Sequence, residues 1–401
     1  MISRFGGMAI GAVAQIYVAR QLGPEKLGIS GLAIAAVAQG CILASFGSDT
    51  LLVRKYRETD GEEEKTKLVE TAFAARLLFT LMLGGALFAA LPLINIRPDF
   101  TLSIACIIPL LLFQVNQPLW LLQAKEQLPA LYLSNTISIA FGAGLIFIFI
   151  KPSSPAGSDM IVSCIAAGIS FFLSWSFAIR GLPALKFDFA AIGKLLQSSR
   201  WLFASSIVVY LYTQFEQPLL GSMRSLDELG IYRSALQVVG GITPFIAMVS
   251  LLMYPKLIAW RAISIDYLWS QQKKIFFKLL PWVVLAIGLA FLALPFLYPW
   301  IFGPKFQSAS LPCALLVASK LVVLLNGIFG WGLWALKQDR LMLMIMTGVA
   351  IFSVSMNFLT IPYFGMLATA SVNLASELLI LVACAWQMRR IITAPCLEKA
   401  A

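Results

Sequence analysis

The chain has 401 residues, 60% of them apolar and only 12% charged, with a mean hydropathy of +0.86 and a formal net charge of +11. That balance lies far outside what a soluble domain needs for its core, so a soluble fold is excluded and an all-α polytopic membrane protein is expected. No His occurs anywhere, which removes catalytic triads built on it and the commonest metal ligand.

Apolar runs separated by charge, Pro or Gly predict about twelve transmembrane helices, starting near Ile2, Ile29, Leu68, Thr101, Gln127, Met160, Trp201, Ile231, Leu279, Ser308, Leu341 and Met366. The clearest are Leu77 to Ile96, Thr101 to Ala124, Gln127 to Ile150, Leu279 to Phe302 and Leu341 to Phe364. Each is long enough as a helix to cross about 30 Å of hydrocarbon. The first run resembles a signal peptide in position, but no cleavage site followed by a soluble domain succeeds it, so it reads as a retained span. Between the sixth and seventh spans, Phe187 to Arg200 carries apolar Ala190, Ile192, Leu195 and Leu196 beside Lys194 and Arg200. It is either an amphipathic helix on the membrane surface or a solvated connector. The expected organisation is therefore an N-terminal six-helix lobe over 1–180, a cytoplasmic connector over 181–200, and a C-terminal six-helix lobe with a short cytoplasmic tail over 201–401.

Lys and Arg gather on alternate linkers. With a cytoplasmic N-terminus the inner side holds Arg4, the cluster from Arg54 to Lys67, Lys125, the cluster from Arg180 to Arg200, the cluster from Lys256 to Lys278, Lys337, Arg340, Arg389, Arg390 and Lys399. The outer side holds only Arg20, Lys26, Arg97, Lys151, Arg224 and Lys305, so both termini are expected in the cytoplasm. The positive charge is then spread along linkers that face anionic lipid, which makes membrane lipids the expected partner and gives no reason to invoke nucleic acid. Trp120, Trp201, Trp282, Trp300, Trp331, Trp334 and Trp386 fall near span ends or in inner linkers, as an interfacial belt requires.

The six Cys have no CxxC spacing and read as small apolar packing residues, and no GxxxxGK[ST] phosphate loop occurs. The informative chemistry is charge inside the spans, where each ion costs about 2.5–3.5 kcal/mol on insertion scales. Lys320 and Glu377 fall at a common depth of roughly 16–18 Å from the outer face. They are either an anion-binding cation with a titrating carboxylate, or a permanent ion pair locking two helices. Glu216 with Arg224 and Arg233 at the outer mouth, and Asp49 with Arg76 near the inner face, are further candidate meetings; simple snorkelling to the interface is the alternative for each. Gln15, Gln39, Gln114, Asn116, Gln117, Asn135, Asn326, Asn357 and Asn373 also fall within spans. So many amides suit a wet cavity for hydroxyl-rich cargo, or hydrogen bonds between helices.

The two halves look duplicated. Leu22-Gly23-Pro24-Glu25-Lys26-Leu27-Gly28 follows the first span and Leu226-Asp227-Glu228-Leu229-Gly230 follows the seventh, each an outer turn in which an acidic residue precedes Leu-Gly. Six spans per half make the repeats parallel, a common transporter plan.

Ala19-Arg20-Gln21-Leu22-Gly23-Pro24-Glu25 with Gly28, then Phe46-Gly47 and Arg54, resemble the start of Wzx-type oligosaccharide flippases, in the multidrug/oligosaccharidyl-lipid/polysaccharide exporter superfamily. Glu228-Leu229-Gly230-Ile231-Tyr232, Ile301-Phe302-Gly303-Pro304-Lys305-Phe306, and Asn357 with Pro362-Tyr363-Phe364-Gly365 and Ala368 extend the resemblance along most of the chain. It implies two six-helix lobes around a central cavity open alternately to each side. The cargo implied is a polyprenyl-diphosphate-linked oligosaccharide, moved from the cytoplasmic to the outer leaflet of the inner (plasma) membrane for O-antigen or related polysaccharide biosynthesis. No enzyme activity and no cofactor are implied; a proton or sodium ion is the coupling partner, and polysaccharide assembly proteins are further candidate partners.

On that reading Arg76, Arg233 and Lys320 bind the diphosphate, with Arg20 and Arg224 toward the outer mouth and Asn116 as an amide contact, while Asp49, Glu216 and Glu377 couple the ion. Two departures accompany the resemblance. The first span is short and lacks the basic lead of many relatives, which suggests a late start or a trimmed chain. Where relatives often show Asp in the seventh span, this chain has Phe215-Glu216-Gln217, which keeps the charge. A small-molecule or multidrug cation exporter of the same superfamily is the alternative, and would have an acidic cavity. A membrane polysaccharide polymerase or ligase is a third reading, disfavoured because no outer linker is large enough for the catalytic loop such enzymes commonly carry.

Overall fold

The computed structural model describes residues 2–90, 97–179 and 181–393, and these are helical throughout with no strand among them. The end of the predicted Leu77 to Ile96 span, Arg180, Cys396 and Lys399 lie outside the described residues, as does the side chain of Arg4.

The chain forms two compact units, Met1–Tyr210 and Leu211–Ala401. In the first, helix α1 (Ile2–Ser45) is broken at Gly23, whose φ of 76° a side chain would resist, and Pro24 restarts the helix where no amide hydrogen is needed. The two arms of α1 are the first two predicted spans. A left-handed turn at Phe46 and Gly47 leads into α2 (Asp49–Glu58). A Cβ on Gly47 would stand 2.9 Å from the Leu202 carbonyl oxygen, so the turn is seated against the helix that carries Leu202.

Next come α3 (Glu62–Ala90), α4 (Thr101–Val115), α5 (Leu119–Ala124), α6 (Leu128–Phe149) and α7 (Ser158–Ile179). The expected single helix over Thr101 to Ala124 is split into α4 and α5 at Asn116-Gln117-Pro118, because Pro118 cannot donate to the ladder. Helix α8 (Phe189–Thr213) begins inside the predicted connector. Its Ile192 and Leu195 enter the core formed by Leu52, Trp120, Leu121, Phe171 and Trp175 while Phe189, Lys194 and Arg200 stay exposed, so from Phe189 the stretch is a helix with one buried face and not a loop. Trp120 is only 3% exposed, which removes it from the predicted interfacial belt; Trp201, Trp282, Trp300 and Trp386 are indeed exposed.

The second unit contains α9 (Glu216–Met223), α10 (Leu226–Gly240), α11 (Thr243–Ile263), α12 (Ile265–Phe302), α13 (Ser310–Ala335), α14 (Asp339–Phe364) and α15 (Met366–Thr393). Buried Gly327, Gly330 and Gly332 let neighbours approach α13 closely, as membrane helices pack through small residues rather than through hydrophobic exclusion. Gln272 of α12 lies against Gly332 and donates to the Ile328 carbonyl at 2.5 Å. The outward faces keep Phe88, Phe149, Trp282, Phe296, Trp300 and Tyr363 exposed, an apolar surface suited to lipid.

Candidate functional site

In the first unit Arg76 of α3 is 5% exposed and donates to Asp49 Oδ1 at 2.6 Å, to Ser48 Oγ at 3.3 Å and to the Val115 carbonyl at 3.2 Å. Its Nε is buried without a partner. The predicted meeting of Asp49 with Arg76 thus forms, and it ties the end of α1, the start of α2 and the end of α4 to α3. Asn116, at that same break, spends its amide hydrogen on the Leu112 carbonyl at 2.9 Å, and its own carbonyl accepts from Trp175 Nε1 at 2.9 Å.

In the second unit Glu216, the first residue of α9, is buried and accepts from the Tyr232 hydroxyl at 2.6 Å and from Asn373 Nδ2 at 3.2 Å. Asn373 in turn accepts from Ser319 Oγ at 2.6 Å. One turn along α15, Glu377 accepts from Asn326 Nδ2 at 2.7 Å. Ser319, Lys320 and Asn326 share α13, and the Lys320 charge acts on both Glu216 and Glu377. Among the described residues no direct salt bridge joins Lys320 to either carboxylate, so the locking ion pair, one of the two alternatives for Lys320 and Glu377, does not form. A cavity of about 320 Å³ within this unit is walled in part by Tyr212, Asn326, Trp331, Trp334 and Glu377, with no Lys or Arg among the described residues of its lining.

Glu216 does not meet Arg224. Arg224 instead binds Glu228 Oε2 at 2.8 Å and the Pro362 carbonyl at 3.3 Å. Glu228 also accepts from the Met366 amide at 2.7 Å, while Gly365 at φ 56° lies against the same carboxylate. The turn after the seventh span is thereby fastened to the turn before the twelfth. The first unit has the counterpart: Lys26, in the turn after the first span, donates to the Ser154 carbonyl at 2.6 Å and the Pro152 carbonyl at 3.3 Å, just before the sixth span. Neighbouring Glu25 pairs with Arg97 at 3.1 Å. The hydrogen bond to Glu25, then that to Asp99, raises the guanidinium's pKa above its ordinary value.

Arg233 is buried on α10 and Arg20 is exposed on α1. Of the buried asparagines, Asn116 and Asn357 are spent on carbonyls of their own helices, and of Asn116, Asn326, Asn357 and Asn373 only Asn326 lines the cavity. Among the buried polar groups to which sequence reasoning gave no role are Glu70, paired with Lys186; Asp159, which accepts from Ser30 Oγ at 2.5 Å; and Tyr232. Asp159 was legible as an acid opening a long apolar run. Tyr232 closes the Glu228-to-Tyr232 motif, but nothing local marked its hydroxyl as the partner of Glu216.

Ten segments among the described residues are long and apolar enough to cross a membrane, and together with buried charge inside them they define a multi-pass membrane protein. Residues 1–260 match the model of a family described as polysaccharide biosynthesis protein, and the chain belongs to that family. A Shigella flexneri protein named as an O-antigen transporter is 23% identical over 258 residues, covering 60% of each chain. A Haloferax volcanii protein named as the low-salt glycan biosynthesis flippase Agl15 is 23% identical over 225 residues, covering 55% of this chain and 47% of its own length. The chain therefore spans about half to three-fifths of the length of these relatives. Among solved structures, the lipid II flippase MurJ in an inward closed conformation superposes with a TM-score of 0.78 at 15% identity, over 97% of this chain and 87% of that one. An inward-facing multidrug transporter of the MATE family and MOP superfamily does so with 0.68 at 11% identity, over 97% and 96%. These two likenesses establish the fold.

Proposed function

We propose that this chain is a transporter that moves a polyprenyl-diphosphate-linked oligosaccharide from the cytoplasmic to the outer leaflet of the inner membrane, with both termini cytoplasmic. The observation that carries this reading is Lys320, a cation well inside an apolar helix with no direct carboxylate partner among the described residues. Such a charge is retained against its insertion cost where an anion visits it. A diphosphate is that kind of anion, and buried Arg233, with Arg20 and Arg224 toward the outer mouth, supplies guanidinium donors suited to it. Arg76 and Asn116 are committed to holding α3 and the α4–α5 break, and contribute to cargo binding through position. The names of the Shigella and Haloferax relatives support the same cargo class.

Coupling to a proton or sodium ion falls to Glu216 and Glu377, with Asp49 on the other unit. A carboxylate dry in one state and wet in another changes its proton affinity, which is what coupling needs. Lys320→Ala should abolish the appearance of lipid-linked sugar on the outer leaflet while leaving the protein in the membrane at its normal level. Measured in a deletion strain complemented with each variant, retained flipping by Lys320→Ala would remove this residue from the cargo site.

One observation favours the second reading, an exporter of organic cations: the cavity near Glu377 offers three aromatic rings and a carboxylate but no basic group. Efflux of a fluorescent cation from cells, abolished by Glu377→Gln but untouched by Lys320→Ala, would select that reading over the first.

A further inference from the structure

At one end of the second unit Leu257, Leu268, Ala335, Met342 and Met388 share a buried core, so the ends of α11, α13 and α15 and the starts of α12 and α14 come together there. Around that core stand Lys256 and Arg261 on α11, and Lys273, Lys274 and Lys278 on α12. Lys337 and Arg340 flank the turn from α13 to α14, and Arg389 and Arg390 close α15. Among the described residues only Asp266 and Asp339 oppose these nine cations, and each lies in the first turn of its helix, where it answers the helix dipole. No salt bridge joins any of the nine to a carboxylate among the described residues.

The first unit has a comparable end, where Leu52, Val69, Trp120, Ala178 and Ile192 gather α2, the start of α3, α5, the end of α7 and the start of α8. Apart from Arg76 and its partner Asp49, nine described Lys and Arg stand there too, but with eight Asp and Glu. Five of those nine are in salt bridges. Orientation in the membrane depends on Lys and Arg and is nearly indifferent to Asp and Glu. Topology therefore accounts for the cations at both ends but not for the lack of acids at one. The surplus of the second unit is left for an anion outside the chain.

Depth selects that anion. The spanning part of α12 is read from Leu279, and Lys273 lies about 9 Å before it, where a lysine reaches the headgroup layer. Phe277, 64% exposed, stands between Lys274 and Lys278. Lys273 lies 5.4 Å from the Trp269 ring, and Arg390 5.7 Å from that of exposed Trp386. Basic and aromatic side chains so interleaved belong to a membrane–water interface. The turns between these helices, Ser264 and residues 336–338, are too short to carry the charge out to a soluble partner. We propose that this end of the second unit binds the phosphate groups of anionic phospholipids in the leaflet it meets, with Lys273, Lys274 and Lys278 as principal ligands. The proposal depends on the chain's being a membrane protein and is independent of what it transports.

The test is native mass spectrometry of the full chain titrated with phosphatidylglycerol and phosphatidylcholine. The wild type should retain phosphatidylglycerol over phosphatidylcholine. Lys273→Gln, Lys274→Gln and Lys278→Gln combined should weaken that retention about tenfold or more. Arg54→Gln, Lys67→Gln and Lys194→Gln combined remove the same charge from exposed positions of the first unit, and should change it by less than about twofold. Should the α12 variant fail to give a monodisperse protein, Arg389→Gln with Arg390→Gln removes two charges from the same end and should weaken retention about threefold or more. The proposal is overturned if the variants of the second unit behave as wild type, or if the two triple variants lose alike, which would leave only net charge at work. Equal retention of phosphatidylcholine would also overturn it. So would displacement of phosphatidylglycerol by millimolar inorganic phosphate, which assigns the surface to a soluble anion, or by an equimolar polyglutamate peptide, which assigns it to an acidic polypeptide.

Discussion

Gly23 and Gly365 both occupy positive φ, yet they answer to different constraints. Nothing lies within 4 Å of a Cβ built on Gly23, so Gly23→Ala carries only the backbone penalty, about 1–3 kcal/mol. A Cβ on Gly365 would also collide with the Glu228 carboxylate and displace it from the Met366 amide and Arg224. Adding the loss of hydrogen bonds to a charged group, Gly365→Ala should cost about 3–5 kcal/mol. Thermal unfolding of the purified protein in detergent checks the order: Gly365→Ala must lower Tm further than Gly23→Ala, and equal shifts would mean that Glu228 holds nothing. The sequence shows both glycines as turn residues and Glu228 as part of a repeated motif. It does not show that residues 138 positions apart touch, because a turn's local chemistry carries no information about which distant turn it meets.

At the level of helices, legibility followed apolar run length. The spans in chain order stand out because each must satisfy its backbone internally within hydrocarbon. Where a helix is covered by protein instead, that signal fails: α8 opens with Phe189 to Arg200, polar enough to read as a connector, since Ile192 and Leu195 are buried by neighbours rather than by lipid. The same cover hides Trp120. Arg76 offers a sharper test of what fastens these elements. Its side chain is 6% exposed while that of Asp49 is 60% exposed, so the pair is lopsided. Asp49→Ala leaves the buried guanidinium with two neutral acceptors and no counter-charge, and should cost about 3–5 kcal/mol. Arg76→Ala frees Asp49, Ser48 and the Val115 carbonyl, but the charge it leaves behind is the mostly exposed Asp49, so it should cost less, about 1–3 kcal/mol. Comparing the midpoints of thermal denaturation distinguishes this from a symmetric ion pair, for which the two losses would be alike.

For the molecule as a whole, the number of crossings decides which groups share a face of the membrane. Among the described residues ten segments pass as spans by length and hydropathy; the first contains the break at Gly23 and so supplies two crossings. The twelfth crossing rests on α8 and α9, whose polar Gln197, Ser198, Ser199, Arg200, Gln214 and Glu216 keep them out of that set. Between Asp60 and Ser270 the chain passes through α3, the α4–α5 pair, α6, α7, the α8–α9 pair and the α10–α11 pair. If all six cross, the basic clusters around residues 54–67 and 256–278 lie on one face, as the bias of Lys and Arg toward the cytoplasm demands. If α8 and α9 do not cross, those clusters face opposite sides and the bias is lost. Single cysteines placed at Asp60 and Ser270, in a chain whose own cysteines are replaced, should therefore both react with an impermeant maleimide only in inverted vesicles. A cysteine at Ser154 should react only in intact cells. Labelling of positions 60 and 270 from opposite sides would show that the Glu216-bearing segment turns back within the membrane, leaving Glu216 on a re-entrant element where alternating exposure of its carboxylate has no basis.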